Sequence, residues 1–443
     1  MVVLACMPFS AVNLTALAGD LGMNLLLVPM LLLMPFILLR ILPFPAVASE
    51  PYGELIRALF LFFVWCAFTT LVTGMVFEFD NLSAYGSTPL RHSLARFPIP
   101  IFIGLLAVAS YGIGRHVLTV AQSDKVLCTT AVLLASYGLV QLYGLYASPQ
   151  WYFSLVSWIE GARNLPGPWQ PDVLSYVHLT GRLNLTTFEA AEAARLVLIA
   201  YVPALVTPAY DRLGAVRIAT VSVLVLLVLL AQTIVGLVCL SVLAVIGFVV
   251  LNSRLRYMVA VVSVVFLLLA IVAAPASFTE RISGIAATRD VDDLDQSILT
   301  RASFAVASLQ VTLAHPLLGI GWSKDIFFLQ PAIPEWGHSW EVEESLENGE
   351  AVAAKSMAIR LLLYAGIPAF LLLALKFVRT AVHAVQQYRR DNDPLALRVV
   401  LVMVMFAVGG VCDGGILVGA YSWVTLGLVM GMAAAKAGMA KEI

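Results

Sequence analysis

Charged side chains are scarce in this chain of 443 residues: they make up 12% of it, and 26 basic against 27 acidic residues leave a formal charge of -1. No basic surplus is left for a nucleic-acid partner. The five cysteines, Cys6, Cys66, Cys128, Cys239 and Cys412, fall singly inside apolar runs, which excludes zinc-ligand spacing and a disulfide framework. Also missing are a P-loop, a dinucleotide fingerprint and a His/Cys/Asp metal constellation. The sequence therefore calls for no cofactor and no ATP. Neither an internal repeat nor inverted hydropathy symmetry relates the two halves, which argues against the repeat-built transporter folds. Met1 to Ala18 lack the basic start and small-residue cleavage site of a signal peptide, so they read as a retained first span.

Apolar residues are what the chain has in abundance, 61% of the total, with a mean hydropathy of +0.93. Runs of about 18 to 23 apolar residues recur, each long enough to cross a bilayer core of about 30 Å as a helix. They fall at about 2–18, 24–42, 56–79, 97–116, 126–148, 190–208, 214–232, 234–251, 256–275, 358–380, 396–413 and 416–436. The expected fold is an all-α polytopic membrane protein with about 12 transmembrane helices. Arg115, Lys125, Arg212, Arg217, Arg254, Arg256, Arg379, Arg389, Arg390, Arg398, Lys436 and Lys441 lie at alternate connections. Cytoplasmic loops carry such an excess, so both termini are expected in the cytoplasm.

The opposite, periplasmic face then receives the long connections, and two of them far exceed the usual helix connection. The chain divides into an N-terminal bundle (1–148), an aromatic periplasmic loop (149–189), central spans (190–275), a large periplasmic loop (276–357) and C-terminal spans (358–443). Trp151, Tyr152, Trp158, Trp169 and Tyr176 suit the first loop to the bilayer interface, packed back on the helices. The second loop holds an amphipathic stretch, Ser297 to Ala314, and an acidic run, Glu341, Glu343, Glu344, Glu347 and Glu350, whose plain reading is a solvated helix face.

Four clusters carry polar chemistry toward that face. In the string Gly181 to Glu189, Arg182 and Glu189 stand where the chain re-enters the membrane; they form either a loop-anchoring ion pair or a site in which Arg182 holds an anionic group. Arg301 precedes His315-Pro316-Leu317-Leu318-Gly319-Ile320-Gly321. A guanidinium grips a pyrophosphate bidentately without a metal, Gly319 and Gly321 would let backbone amides approach the same anion, and His315 reads equally as a helix-ending residue. Pro334 to Glu341 joins Trp336 and Trp340 to His338 and two carboxylates, a set suited to sugar faces and hydroxyls or, plainly, to an interfacial anchor. Asp413, inside an apolar run, is either functional or paired with a loop arginine.

At these motifs the sequence resembles the O-antigen polymerase and ligase superfamily, bacterial inner-membrane glycosyltransferases acting at the periplasmic face on polyprenyl-pyrophosphate-linked glycans. The resemblance rests on Arg182 to Glu189 before a span, on Arg301 with His315 to Gly321, and on the re-entry from Arg360 to Gly366-Ile367. Ligases of the superfamily carry an outer-face Ser-Arg and a His-Asn where this chain has Thr233-Ile234 and Lys355-Ser356, so the resemblance is to the Wzy-type polymerase branch. It implies an enzyme that joins lipid-linked oligosaccharide repeats without a metal. Arg182 and Arg301 would bind pyrophosphate, and Glu189, then His338, would serve as base. His315, Gly319, Gly321, Trp336, Trp340 and Arg360 would complete the substrate site. The implied partners are the polyprenyl-pyrophosphate-linked oligosaccharide, the bilayer, a chain-length regulator and a flippase. A ligase and a lipid-linked glycan flippase are the alternatives.

Overall fold

The structure, a computed structural model, describes residues 1–7, 51–76, 89–147, 150–152, 182–187, 190–207, 214–250, 296–340, 342–343, 354–417 and 419–439. Among these the regular elements are all helical: α1 (Val2–Cys6), α2 (Pro51–Val76), α3 (Pro89–Arg96), α4 (Pro98–His116), α5 (Val120–Ala147), α6 (Ala190–Leu196), α7 (Val202–Val206), α8 (Ala215–Leu230), α9 (Ile234–Val250), α10 (Gln296–Ala314), α11 (Asp325–Phe328), α12 (Met357–Ala365), α13 (Ile367–Asp391), α14 (Pro394–Cys412) and α15 (Ala420–Met439). The expected spans at 24–42 and 256–275, most of the aromatic loop and all of the acidic run but Glu343 lie outside the described residues.

Five described stretches are long and apolar enough to cross a membrane: Pro51–Val76, Leu90–His116, Val120–Leu145, Ile367–Asp391 and Pro394–Cys412. Their ends follow from local chemistry. Asn392 closes α13 in the left-handed conformation, and the Asp393 carboxylate caps α14 by accepting from the Leu395 amide at 2.9 Å, with Pro394 opening the helix; proline fits the first turn because its missing N–H has no helical partner there. Between α4 and α15 the pairing is close because Gly427 and Gly431 stand four apart. A Cβ at Gly431 would lie 2.1 Å from Tyr111 O, and one at Gly114 would lie 2.3 Å from Leu428 O. Small residues at this spacing let backbones meet where no hydrophobic force drives helices together in lipid.

One end of the bundle is tied by polar contacts. Tyr52 OH donates to Gln387 at 2.7 Å, Lys436 Nζ lies 2.8 Å from Asp393, and Thr380 Oγ1 donates to Pro51 O at 3.2 Å. Arg389, Arg390 and Lys436 sit at this end. The opposite end, where α12 starts and α14 stops, is called outer below.

The expected single span at 358–380 is two helices. Gly366, at φ +80°, separates α12 from α13, so the carbonyls of Leu363, Tyr364 and Ala365 have no helical partner. The loop after α10 supplies the missing donors: Ile320 N to Leu363 O at 2.9 Å and Gly321 N to Tyr364 O at 3.1 Å, while Trp65 Nε1 donates to Ala365 O at 2.9 Å. Ile367 N in turn donates to Pro316 O at 2.8 Å. Irregular backbone at membrane depth is tolerated only when satisfied in this way. With a rise of about 1.5 Å per residue, Leu363 and Tyr364 lie about 10 Å below the outer end of α12.

Candidate functional site

The outer end of α14 gathers three arginines from three separate elements. Its last turn runs into Asp413-Gly414-Gly415, a bend in which Asp413 Oδ1 accepts from the Gly415 amide at 2.7 Å. Arg301, exposed on α10, donates from Nη1 to Cys412 O at 3.3 Å. Arg360 of α12 donates from Nε to Ala354 O at 2.5 Å and lies against Gly414, where a Cβ would come within 3.1 Å of its Cζ. Arg195 of α6 forms an ion pair with Asp413, and a Cβ at Gly415 would come within 2.7 Å of its Nη1. The two glycines thus let two guanidinium groups rest on backbone.

These guanidinium groups are not equally satisfied. Arg195 is 5% exposed, and Asp413, Glu192 and Tyr421 act on its charge, yet its buried Nε has no hydrogen-bond partner among the described residues. Among those residues no carboxylate forms an ion pair with Arg301 or Arg360. Among the described residues, donors on both are left without a partner, and an oxyanion with several lone pairs fits them.

The aromatic segment joins the same place. Thr300 Oγ1 and Ser339 Oγ are 2.7 Å apart and buried, and Gly337 packs on Ser303, where a Cβ would meet the Ser303 side chain at 2.4 Å. That bond sets Arg301 and His338, the immediate neighbours of the bonded pair, on adjoining segments. Trp336 is 43% exposed and Trp340 61%, large apolar surfaces open beside a charged group. The helix that carries Arg301 is therefore joined to the segment that carries Trp336, His338 and Trp340.

Other expected residues are used differently. The amides of Gly319 and Gly321 do not face an anion: they donate to His315 O at 3.0 Å and Tyr364 O at 3.1 Å. Both glycines have positive φ, +67° and +80°, and a Cβ on Gly321 would lie 2.6 Å from Thr70 Cα, so their role is close backbone packing. His315 follows the last residue of α10 with its ring edge-on to Phe328 at 5.2 Å, and burial pushes its pKa down. Arg182 opens the stretch 182–187, which is fixed to α5 by Gln141 through Asn184 at 2.6 Å and the Leu185 amide at 2.9 Å. The contacts that fix this stretch and those that fix Arg301 are on different elements. Glu189 lies outside the described residues.

Sequence reasoning missed Arg195, although an arginine within an apolar run is itself a signal. Of the two readings of Asp413, functional or paired with a loop arginine, the structure shows an ion pair with Arg195, which is on a helix. Sequence reasoning also missed a polar latch beside the site. Lys324, buried and pushed down to about 8 by desolvation, lies 2.5 Å from Ser93 Oγ; His92 Nε2 donates to Ser323 O at 2.9 Å; and Asp325, buried and pushed up by desolvation, accepts from Tyr364 OH at 2.5 Å. Lys324 and Asp325 thus tie α11 to α3 and to α12.

Residues 218–374 match the family model described as O-antigen ligase. The matched stretch includes Arg301, His338 and Arg360 and stops short of the 412–415 turn. The match covers less than half of the chain and supports the resemblance to the O-antigen polymerase and ligase superfamily. Comparison with curated proteins gives no match.

Proposed function

We propose that the protein is a polysaccharide polymerase of the periplasmic face, joining polyprenyl-pyrophosphate-linked oligosaccharide repeat units. The observation that carries this reading is the convergence of Arg195, Arg301 and Arg360 on the 412–415 turn beside the exposed Trp336, His338 and Trp340. The acceptor hydroxyl oxygen attacks the anomeric carbon of the donor, the bond from that carbon to the pyrophosphate oxygen breaks, and its electron pair leaves with the lipid pyrophosphate. Fixed guanidinium groups stabilise that departing charge. Arg301 and Arg360 have the free donors for it, Arg195 holds the turn through Asp413, and Arg182 adds a further cation from its own segment. The hydroxyl proton passes to a base, Glu189 first and His338 next. The tryptophans cover sugar faces.

A ligase is the second reading, favoured by the description of the family match. Against it, the two places where ligases carry Ser-Arg and His-Asn hold helix starts here: Thr233 Oγ1 accepts from the Gly236 amide at 3.1 Å, and Ser356 caps α12. The test is purified protein in lipid with a lipid-linked repeat unit, alone and with a lipid acceptor. A ladder of products from the repeat unit alone is expected. A single transfer that requires the second acceptor would replace polymerase with ligase, and movement of the lipid without a new glycosidic bond would remove both.

A further inference from the structure

Asp325, the first residue of α11, carries a charge for which the site described so far has no use. It is 4% exposed, its Oδ2 accepts from Tyr364 OH at 2.5 Å, and its Oδ1 has no hydrogen-bond partner among the described residues. Tyr364 stands four residues after Arg360 on α12, so the two share a face. Side chains on a helix lean toward its N-terminus, which brings the tyrosine hydroxyl, and the carboxylate bound to it, toward the guanidinium. Arg360 is also held at its outer side, where Nε donates to Ala354 O at 2.5 Å and Cζ lies against Gly414. Asp325 and Arg360 make no direct ion pair, yet the charge of Arg360 acts on both Asp325 and Tyr364.

We infer that Asp325 is a positioning residue for Arg360: its buried carboxylate, fixed by Tyr364, holds the guanidinium in the pose that meets the departing anionic group of the donor. This role rests on the reading of the reaction given above. Two observations separate it from a plain tie between α11 and α12. A neutral asparagine would accept the Tyr364 hydrogen bond equally well, without the cost of burying a charge. The charge therefore needs a partner, and among the described residues the charge that acts on it is that of Arg360. Lys324 is adjacent in sequence but is directed to α3, with Nζ 2.5 Å from Ser93 Oγ. The second observation is the single printed hydrogen bond of Arg360, from Nε to Ala354 O. A guanidinium held at one point can swing about it, and a displacement of about 1 Å at a reacting centre is enough to cost about 100-fold in rate.

The experiment compares Asp325→Asn, Arg360→Met and the double variant in the full chain in lipid, by glycan transfer from a lipid-linked donor and by melting temperature. Asparagine keeps an acceptor for Tyr364 and removes the charge. Asp325→Asn is expected to lower kcat about 10- to 100-fold, with KM little changed and the melting temperature not lowered. In the Arg360→Met background it should lower kcat no further. Equal fold losses in both backgrounds, or a fall in melting temperature that parallels the loss of rate, would overturn the role and leave Asp325 as a tie between helices. Tyr364→Phe gives a second route, because it keeps the charge but releases the carboxylate. It should lower kcat in the unaltered protein and not in Asp325→Asn; an equal loss in both would also overturn the role. The melting temperatures need no reaction: Arg360→Met leaves Asp325 buried without its counter-charge, so it should lower the melting temperature more in the unaltered protein than in Asp325→Asn. That difference in a protein that transfers no glycan would fail the enzymatic reading and leave the pairing standing. Its absence in a protein that does transfer glycan would overturn the pairing alone.

Discussion

Two buried arginines stand at opposite ends of the bundle, each held by a carboxylate, and the exposed Arg301 stands beside one of them. At the end opposite the 412–415 turn Arg398 is 1% exposed: Nε donates to Thr207 Oγ1 at 3.0 Å, Nη2 donates to Thr207 O at 2.6 Å, and Nη1 forms an ion pair with Asp124 at 2.7 Å. It clamps α5, α7 and α14 together. At the outer end Arg195 also has a carboxylate, its Nε has no hydrogen-bond partner among the described residues, and the neighbouring Arg301 makes one long contact. Arg398 and Arg195 are both staples, each holding a carboxylate, whereas the exposed Arg301 keeps donors that have no partner among the described residues and is the receptor. The charge is the same in all three; the exposed donors left over decide.

The largest effect that would break this comparison is at the staple. Arg398→Ala leaves Asp124 buried without its cation and is expected to cost about 3–5 kcal/mol, seen as a lower melting temperature and poor detergent-extracted yield. Arg398→Met with Asp124→Leu should recover most of it, since an apolar pair of similar size replaces a buried ion pair at little cost. Persistence of the loss in the double variant would mean that Arg398 acts through more than its partner.

A smaller effect tests the loop that supports the outer end. Gly321→Ala forces a side chain onto a residue at φ +80° and against Thr70, and about 1–3 kcal/mol of stability should be lost. A normal melting temperature would show that the glycine is held for something other than packing. The smallest effect is a slope. Lys324 titrates at about 8 in the folded protein against 10.5 in the open chain, so between these values the unfolded state holds a proton that the folded state has released. Stability therefore rises as pH climbs from about 8 to 10.5. Lys324→Met should flatten that rise, measured as melting temperature against pH; an unchanged slope would place the titration elsewhere.

Much of the bundle was legible because hydropathy reports burial in lipid. The runs at 56–79, 97–116, 126–148 and 396–413 correspond to α2, α4, α5 and α14. The break at Gly366 was hidden, since Ile367 and Pro368 continue the apolar run and hydropathy does not register φ. Arg301, Trp336, His338 and Trp340 were recognised by residue type, and their segments are joined by Thr300 and Ser339, two residues without a chemical signature. Arg195 was concealed by its surroundings, Ala193, Ala194 and Leu196, which average a single charge away. Gly319 and Gly321 were read as an anion nest because sequence shows which amides are available and not which carbonyls lie opposite.

The most direct test of the receptor assignment is a comparison of purified Arg301→Ala, Arg301→Lys and Arg398→Ala with the unaltered protein, by glycan transfer rate from a lipid-linked donor and by melting temperature. Lysine keeps the charge but loses the planar fork. The account predicts that both Arg301 variants turn over about 30- to 1000-fold more slowly, corresponding to roughly 2–4 kcal/mol in the transition state, with melting temperatures unchanged, while Arg398→Ala loses stability first. Near-normal transfer by Arg301→Lys, or a fall in melting temperature for the Arg301 variants equal to that of Arg398→Ala, would contradict it.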